Sequence, residues 1–289
     1  MHTIDIEKLD SDVRAILSDN AKLQKMPTGE TVINAGITMA PSKRSKVVNV
    51  CPHATAACIL VCVLWFAGRT VTKTVRAAAT KRTRLWFYAS EVFYSRLQKE
   101  LASLARRATK RAVKAYCRLN VASDIAHPLD IVESFPSVGF YDYTADAARA
   151  KAYGMGEFPS NYHVSFSVKE STTYDDAKTL HSLGVNLVTV FDSYYFGPLH
   201  RYGILPKTVV YRSRKTGETF KTDTVDGDVH DIRIPHYDGK GKTVALRAKG
   251  SKSLRERAAS MGFIRHHDGG EVYRVGEHHR DGIAIVDLD

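Results

Sequence analysis

No run in this chain is apolar for long enough to cross a bilayer. The longest, residues 54–68, falls short of the roughly 20 residues that a spanning helix needs. The opening Met1-His2-Thr3-Ile4-Asp5 has neither the basic start nor the apolar stretch of a secretory signal, so the chain is expected to stay in the cytoplasm. Cysteine is scarce, with four in 289 residues, and thiols kept in a reducing compartment do not build a disulfide framework. Glycine (19) and proline (9) are too few for a collagenous or linker-like chain, and 44% hydrophobic with 25% charged residues fits a globular body with its own core. The G-x-x-x-x-G-K-[ST] loop, the G-x-S-x-G elbow and the H-E-x-x-H helix are all missing. Ordinary ATPase, serine-hydrolase and zincin readings thereby lose their best support.

Acidic residues are nearly absent from one segment. Between Arg69 and Lys114 stand 13 basic residues and two acids, Glu91 and Glu100, a local excess equal to the net charge of +11; the rest of the chain is balanced. Such a stripe is either a solvated helix face or a footprint that tracks phosphates.

Residues 1–26 carry Ile6, Leu9, Val13, Ile16 and Leu17 at helical spacing and predict an amphipathic N-terminal helix. Val32 to Thr38 reads as a short strand. From Val71 to Lys114 the spacing predicts one long or broken helix, with Val75, Ala79, Trp86, Phe93, Leu97, Leu101, Leu104 and Ala108 on one face. Arg106, Arg107, Lys110, Arg111 and Lys114 fall on the other and are the candidate nucleic-acid contacts. Residues 115–121, 138–143, 162–167 and 185–191 then read as strands, and Gly184 stops a helix over 175–183. Strand, helix, strand at this spacing predicts an α/β fold: a mostly parallel sheet or partial (β/α) barrel, with an N-terminal cysteine loop and the long basic helix. Asp124, Thr144, Lys169 and Asp192 would gather at the C-terminal strand ends, where such folds place their chemistry. Val209 to Thr222 resembles a hairpin and Thr243 to Ala248 the last core strand. The tail from Ser251 adds a short basic helix, the pairs His266-His267 and His278-His279, and an apolar strand over 283–286.

Cys51, Cys58 and Cys62 form a C-x6-C-x3-C cluster. If the second half is helical, Cys58 and Cys62 share a face one turn apart, and the longer first spacing lets a loop bring Cys51 to meet them. Three thiolates suit an iron–sulfur cluster or zinc; zinc would take His53 or Cys117 as a fourth ligand, whereas a cubane on three cysteines leaves one iron open to a substrate or S-adenosylmethionine. The alternative is that these cysteines are simply packed in the apolar run.

Among the polar candidates, Arg118, Asn120 and Ser123 are placed on a cofactor or substrate, with Asp124, beside a structural reading in which Arg118 pairs with Asp124 or Asp142. Asp142, between Tyr141 and Tyr143, is a candidate base. His230 and Asp231, with Arg233, read as proton-transfer groups or as a surface turn with local ion pairs, and Lys249 suits a phosphate. A metal-dependent nuclease built on Asp124, Asp142 and Asp231 is a further possibility.

Met39-Ala40-Pro41, Cys51-Pro52 with Cys58 and Cys62, Arg118-Leu119-Asn120 with Ser123-Asp124, Tyr141-Asp142-Tyr143-Thr144, Ser165-Phe166-Ser167, Val190-Phe191, His230-Asp231-Ile232-Arg233 and Ala248-Lys249-Gly250 occur in an order that resembles the phage-encoded gene product 88 family. Val63 and Ala145 stand where that pattern tends to carry Tyr and Lys. The resemblance implies a phage origin and expression in the cytoplasm of a bacterial host. It divides the chain into an N-terminal helix and strand (1–38), an α/β core (39–250) and a C-terminal appendage (251–289). In outline the layout is similar to radical S-adenosylmethionine barrels, although the cysteine spacing departs from their C-x3-C-x2-C. The expectation is a phage protein with a three-cysteine iron–sulfur site, acting by radical chemistry on a nucleotide or nucleic acid that the basic helix brings in. The alternative is a non-enzymatic nucleic-acid-binding protein with structural cysteines or zinc.

Overall fold

The computed structural model of the protein describes residues 4–20, 23–66, 72–192, 195–196, 201–202, 205–266 and 282–289. The N-terminal periodicity does not run on as one helix. The first helix, α1 (Ile6–Asp12), is capped by the Asp5 carboxylate and ends at Val13. Beyond it the Glu100 carboxylate accepts the backbone N–H of Ile16 and Leu17 at 2.8 and 2.7 Å, while Arg96 donates to the carbonyls of Asp10 and Val13 at 2.7 Å. These side chains satisfy the backbone groups that further helical turns would have used, and the segment passes into the short strand β1 (Leu17–Ser18).

Strand β2 (Val32–Ile37) follows, then the cysteine segment with α2 (Ala56–Leu60) and α3 (Val63–Phe66). The basic stretch is two helices, α4 (Lys73–Tyr88) and α5 (Ser90–Lys110), broken where Ala89 leaves helical geometry at φ −146°. Next come β3 (Lys114–Arg118), α6 (Leu129–Glu133), β4 (Val138–Thr144), α7 (Ala147–Gly154), β5 (Tyr162–Ser167), α8 (Tyr174–Ser182) and β6 (Asn186–Phe191). A small ribbon of β7 (Tyr195–Phe196) and β8 (Arg201–Tyr202) precedes β9 (Thr208–Ser213), β10 (Thr219–Asp226), α9 (Pro235–Asp238), β11 (Thr243–Arg247), α10 (Lys252–Ser260), β12 (Ile264–Arg265) and β13 (Ile283–Leu288).

Eleven strands form one open, mostly parallel sheet in the order β1-β2-β3-β4-β5-β6-β11-β10-β9-β13, with β12 also paired to β6. From β2 to β10 every neighbour is parallel; β1 and the β9–β10 hairpin supply the antiparallel pairs. The α/β fold with a mostly parallel sheet is therefore as expected, and it is open rather than a closed barrel. Residues after Ser251 also contribute: β12 lies beside Val190 and Phe191, and β13 runs parallel to β9 at the sheet edge.

One face of β2–β4 is covered by α5, whose Phe93, Leu97, Leu101 and Leu104 are fully buried at helical spacing. Each such side chain contributes about 1.5–3 kcal/mol of burial. On the opposite face, Ile232 and Ile234 pack on Val32, Tyr116 and Tyr141. A second core joins α8 to β6, β9 and β13. Gly36 is required by a close crossing: a Cβ there would meet Val121 Cγ2 at 2.5 Å and the Arg118 carbonyl at 2.8 Å, so the glycine lets the chain leaving β3 turn over β2.

Candidate functional site

A cavity of about 240 Å³ opens at the C-terminal ends of β3, β4, β5, β6 and β11, the place where parallel α/β sheets bind ligands. Cys51, Cys58 and Cys62 all line it. With them stand Arg118, Ser123, Asp124, Tyr143, Lys169, Arg247 and Lys249, and an apolar wall of Val61, Val168, Val188, Val190, Leu246, Phe263 and Ile264.

Each cysteine is delivered by local backbone chemistry. Ser42 and Lys46 adopt left-handed φ values of 53° and 64°, costly for residues with a Cβ, and the loop they shape turns the Ser42 N–H onto Cys51 Sγ at 3.2 Å. That thiol donates in turn to the Ala122 carbonyl at 3.4 Å. Burial pushes the Cys51 thiol up to about 12, so deprotonation at neutral pH needs a cation to hold the thiolate. Thr55 caps α2, and Glu170 accepts from Thr55 Oγ1 at 2.7 Å and the Ala57 N–H at 3.0 Å, a carboxylate at the positive end of the helix. This seats Cys58 with its Sγ 3.5 Å from Lys169 Nζ. Helix α2 stops at Leu60, so Cys62 lies between α2 and α3 rather than one turn further along a continuous helix. Among the described residues, no three potential ligands close on a single point as one zinc ion, with sulfurs at about 2.3 Å, requires. The two proposed fourth ligands are elsewhere: Cys117 is fully buried in the α5 core, and His53 faces Asp146 at 3.5 Å.

The polar candidates separate into those that reach the cavity and those that hold it up. Asp124 lines the cavity, anchored by Thr144 Oγ1 at 2.6 Å, the Ala145 N–H at 2.8 Å and Arg149 at 3.4 Å; burial raises its pKa. Arg118 also lines it, 4.3 Å over the Tyr143 ring, but its ion pair is with Asp231 at 3.0 Å rather than with Asp124 or Asp142. Asn120 is not in the lining. Its side chain bridges Asp142, Ser123 and the Ile125 backbone beneath the cavity floor. Asp142 is fully buried and accepts from the Asn120 N–H (2.6 Å), Asn120 Nδ2 (2.8 Å), Tyr162 (2.6 Å) and Arg149 (3.0 Å). A carboxylate with four donors is a structural hub and has no lone pair directed at a ligand.

The segment 230–233 is not a surface turn. Asp231 is fully buried between Arg118 and the Tyr141 hydroxyl, and Arg233 is buried with Asp238 at 3.2 Å. His230 contacts Arg233 at 2.9 Å, and burial together with that guanidinium lowers it to about 4, leaving it neutral and away from the cavity. Asp124 and Asp142 share Arg149 while Asp231 pairs with Arg118, and no three-carboxylate metal site exists among the described residues. Lys249 pairs with Asp228 at 2.7 Å. Asp192 contacts His266 outside the cavity lining; His267, His278 and His279 lie outside the described residues.

A family pattern described as gene product 88 matches residues 14–271, a span that takes in every residue lining the cavity. The chain belongs to the gene product 88 family. Comparison with curated proteins and with solved structures gives no match.

In this gene product 88 protein the basic stretch serves two ends. Arg96 and Lys81 bind Asp10 and Asp12 of α1, Arg82 donates to the Ala15 carbonyl at 2.7 Å, and Arg76 lies 4.5 Å over the Trp65 ring, so part of the charge fastens neighbouring segments. Arg106, Arg107, Lys110, Arg111 and Lys114 are exposed. They sit where α5 ends and β3 begins, whereas the cavity starts at Arg118, the last residue of β3, about 13 Å further along the strand. The exposed patch and the cavity thus lie towards opposite ends of β3.

Three important residues carried little signal in the sequence. Arg149 and Glu170 look like ordinary surface charges on helix and loop, and nothing local tells that they meet Asp142 and α2. Lys169 is recognisable only as a polar residue after a strand.

One titration in this support is measurable. His127, after the β3 loop, is lowered by burial to about 4 and stays neutral in the fold. As pH falls from 6.5 towards 4 the unfolded chain takes up a proton that the folded chain refuses, which costs about 3 kcal/mol of stability. Asp238, raised by burial to about 6, works in the opposite direction over part of that window. Urea unfolding of His127→Gln against the unaltered protein isolates the histidine: the variant should lose stability less steeply between pH 6.5 and 4.5. Equal slopes would refute the assignment.

Proposed function

We propose that this gene product 88 protein is an enzyme in which Cys51, Cys58 and Cys62 hold an iron–sulfur cluster facing the strand-end cavity. The observation that carries the reading is that all three cysteines of the C-x6-C-x3-C segment line one cavity at the C-terminal ends of parallel strands. The surroundings fit such a group: soft sulfur donors, the Lys169 ammonium beside Cys58, and an apolar wall that keeps water from the far side. A cluster bound by three protein thiolates supplies electrons singly and leaves an iron open to a substrate or to S-adenosylmethionine. The chain's own residues then have defined tasks: Arg118 and Asp124 set the polar face, Tyr143 and Phe263 bound the space, and the Asp142 hub keeps the loop after β3 in place.

The test is purification and reconstitution without oxygen, followed by iron and sulfide analysis. About four irons per chain are expected, and a preparation that takes up none removes the proposal.

A second reading, non-enzymatic nucleic-acid binding, is supported by the exposure of five basic side chains at the end of α5. Reversing Arg106, Arg107, Lys110 and Arg111 to Glu should leave the fold intact, weaken binding of a nucleic acid by tenfold or more, and make the salt dependence shallower by about four phosphate contacts. Unchanged affinity and slope would reject an interface there.

A further inference from the structure

The cations around the cavity differ in how they are paired. Of the cations in its wall, Arg118 is neutralised by Asp231, Arg247 by Asp226 and Lys249 by Asp228. Lys169 differs. Its ammonium donates to Cys58 Sγ at 3.5 Å and lies 5.1 Å from the Phe263 ring centre, and among the described residues no carboxylate is within ion-pair distance. A half-buried ammonium with only an aromatic ring and a cysteine side chain beside it is poorly compensated. Beside it the wall turns apolar, through Val168, Val190, Leu246 and Ile264.

We propose that the cavity binds a small molecule with an apolar body and one anionic group, a carboxylate or a phosphate ester, and that Lys169 is the residue that anchors the anion. The charge-assisted contact would supply orientation and the valine and leucine wall would supply burial. The inference takes the cavity as the working site, as the proposed function does, but it requires no cluster. It can therefore be tested on metal-free protein, and a failure of iron loading leaves it standing.

The experiment titrates the metal-free full chain with hexanoate, hexyl phosphate and hexanol, following ligand signals by NMR. At least one anion should bind more tightly than hexanol, and the tighter of the two identifies the headgroup. Lys169→Met should weaken that anion by about tenfold or more while leaving hexanol unchanged, which also shows that the cavity is intact. Lys169→Arg should retain most of the anion's affinity. The proposal is overturned if neither anion is held better than hexanol, or if Lys169→Met leaves the preference unchanged.

Discussion

Replacing Asp142 by Ala should destabilise the protein by about 3–5 kcal/mol, a large share of the roughly 5–15 kcal/mol that holds a domain folded. The carboxylate is fully buried, and its removal takes the acceptor from four donors at once, the Asn120 N–H and amide, the Tyr162 hydroxyl and the Arg149 guanidinium, of which the amide keeps the Ile125 carbonyl and Arg149 keeps Asp124. The cost is that of buried polar groups left short of their acceptor. Asp124→Asn is the comparison. Its carboxylate lines the cavity and retains an acceptor oxygen after the change, so a loss of about 1–2 kcal/mol is expected. Urea denaturation of both variants decides. A difference of less than about 0.5 kcal/mol between Asp142→Ala and the unaltered protein would contradict the hub.

The second large effect concerns the cysteines one at a time. Ala at position 51, 58 or 62 should reduce iron retained after anaerobic reconstitution to a small fraction of the unaltered level, because two thiolates do not hold a cluster that needs three. Cys117→Ala is the control. Cys117 is fully buried in the α5 core, burial pushes its thiol up, and it has no access to the cavity, so the change should cost stability and leave iron uptake intact. Equal iron in all four variants would show that uptake is adventitious.

Much of the architecture was legible because its signals are local. Strand β5 has the limits predicted for residues 162–167, and β4, β6 and α8 differ by a residue or so, since apolar and aromatic residues there are bounded by polar turns. Cys51, Cys58 and Cys62 line one cavity, but the helical turn that the spacing predicted between Cys58 and Cys62 is broken at Leu60. What failed was non-local. Val13, Ile16 and Leu17 kept helical periodicity, but Glu100 and Arg96, more than eighty residues away, capture the backbone and end the helix early.

The polar site shows the same division. Arg118, Ser123 and Asp124 were recognised as strand-end residues and do reach the cavity. Asp142 and Asp231 looked like candidate bases because a sequence displays a carboxylate without its donors. In the fold those donors come from α7, β5 and β3, and they convert both side chains into supports. The alternation of Ile232 and Ile234 with Asp231 and Arg233 was the available hint that the 230–233 segment packs against the sheet, because both isoleucines are buried on β3 and β4.

Iron and sulfide analysis of the anaerobically reconstituted, unaltered protein decides whether the three cysteines hold a cluster. A brown protein with about four irons and a matching amount of sulfide per chain is expected. A colourless protein that takes up neither, while remaining folded, would contradict it.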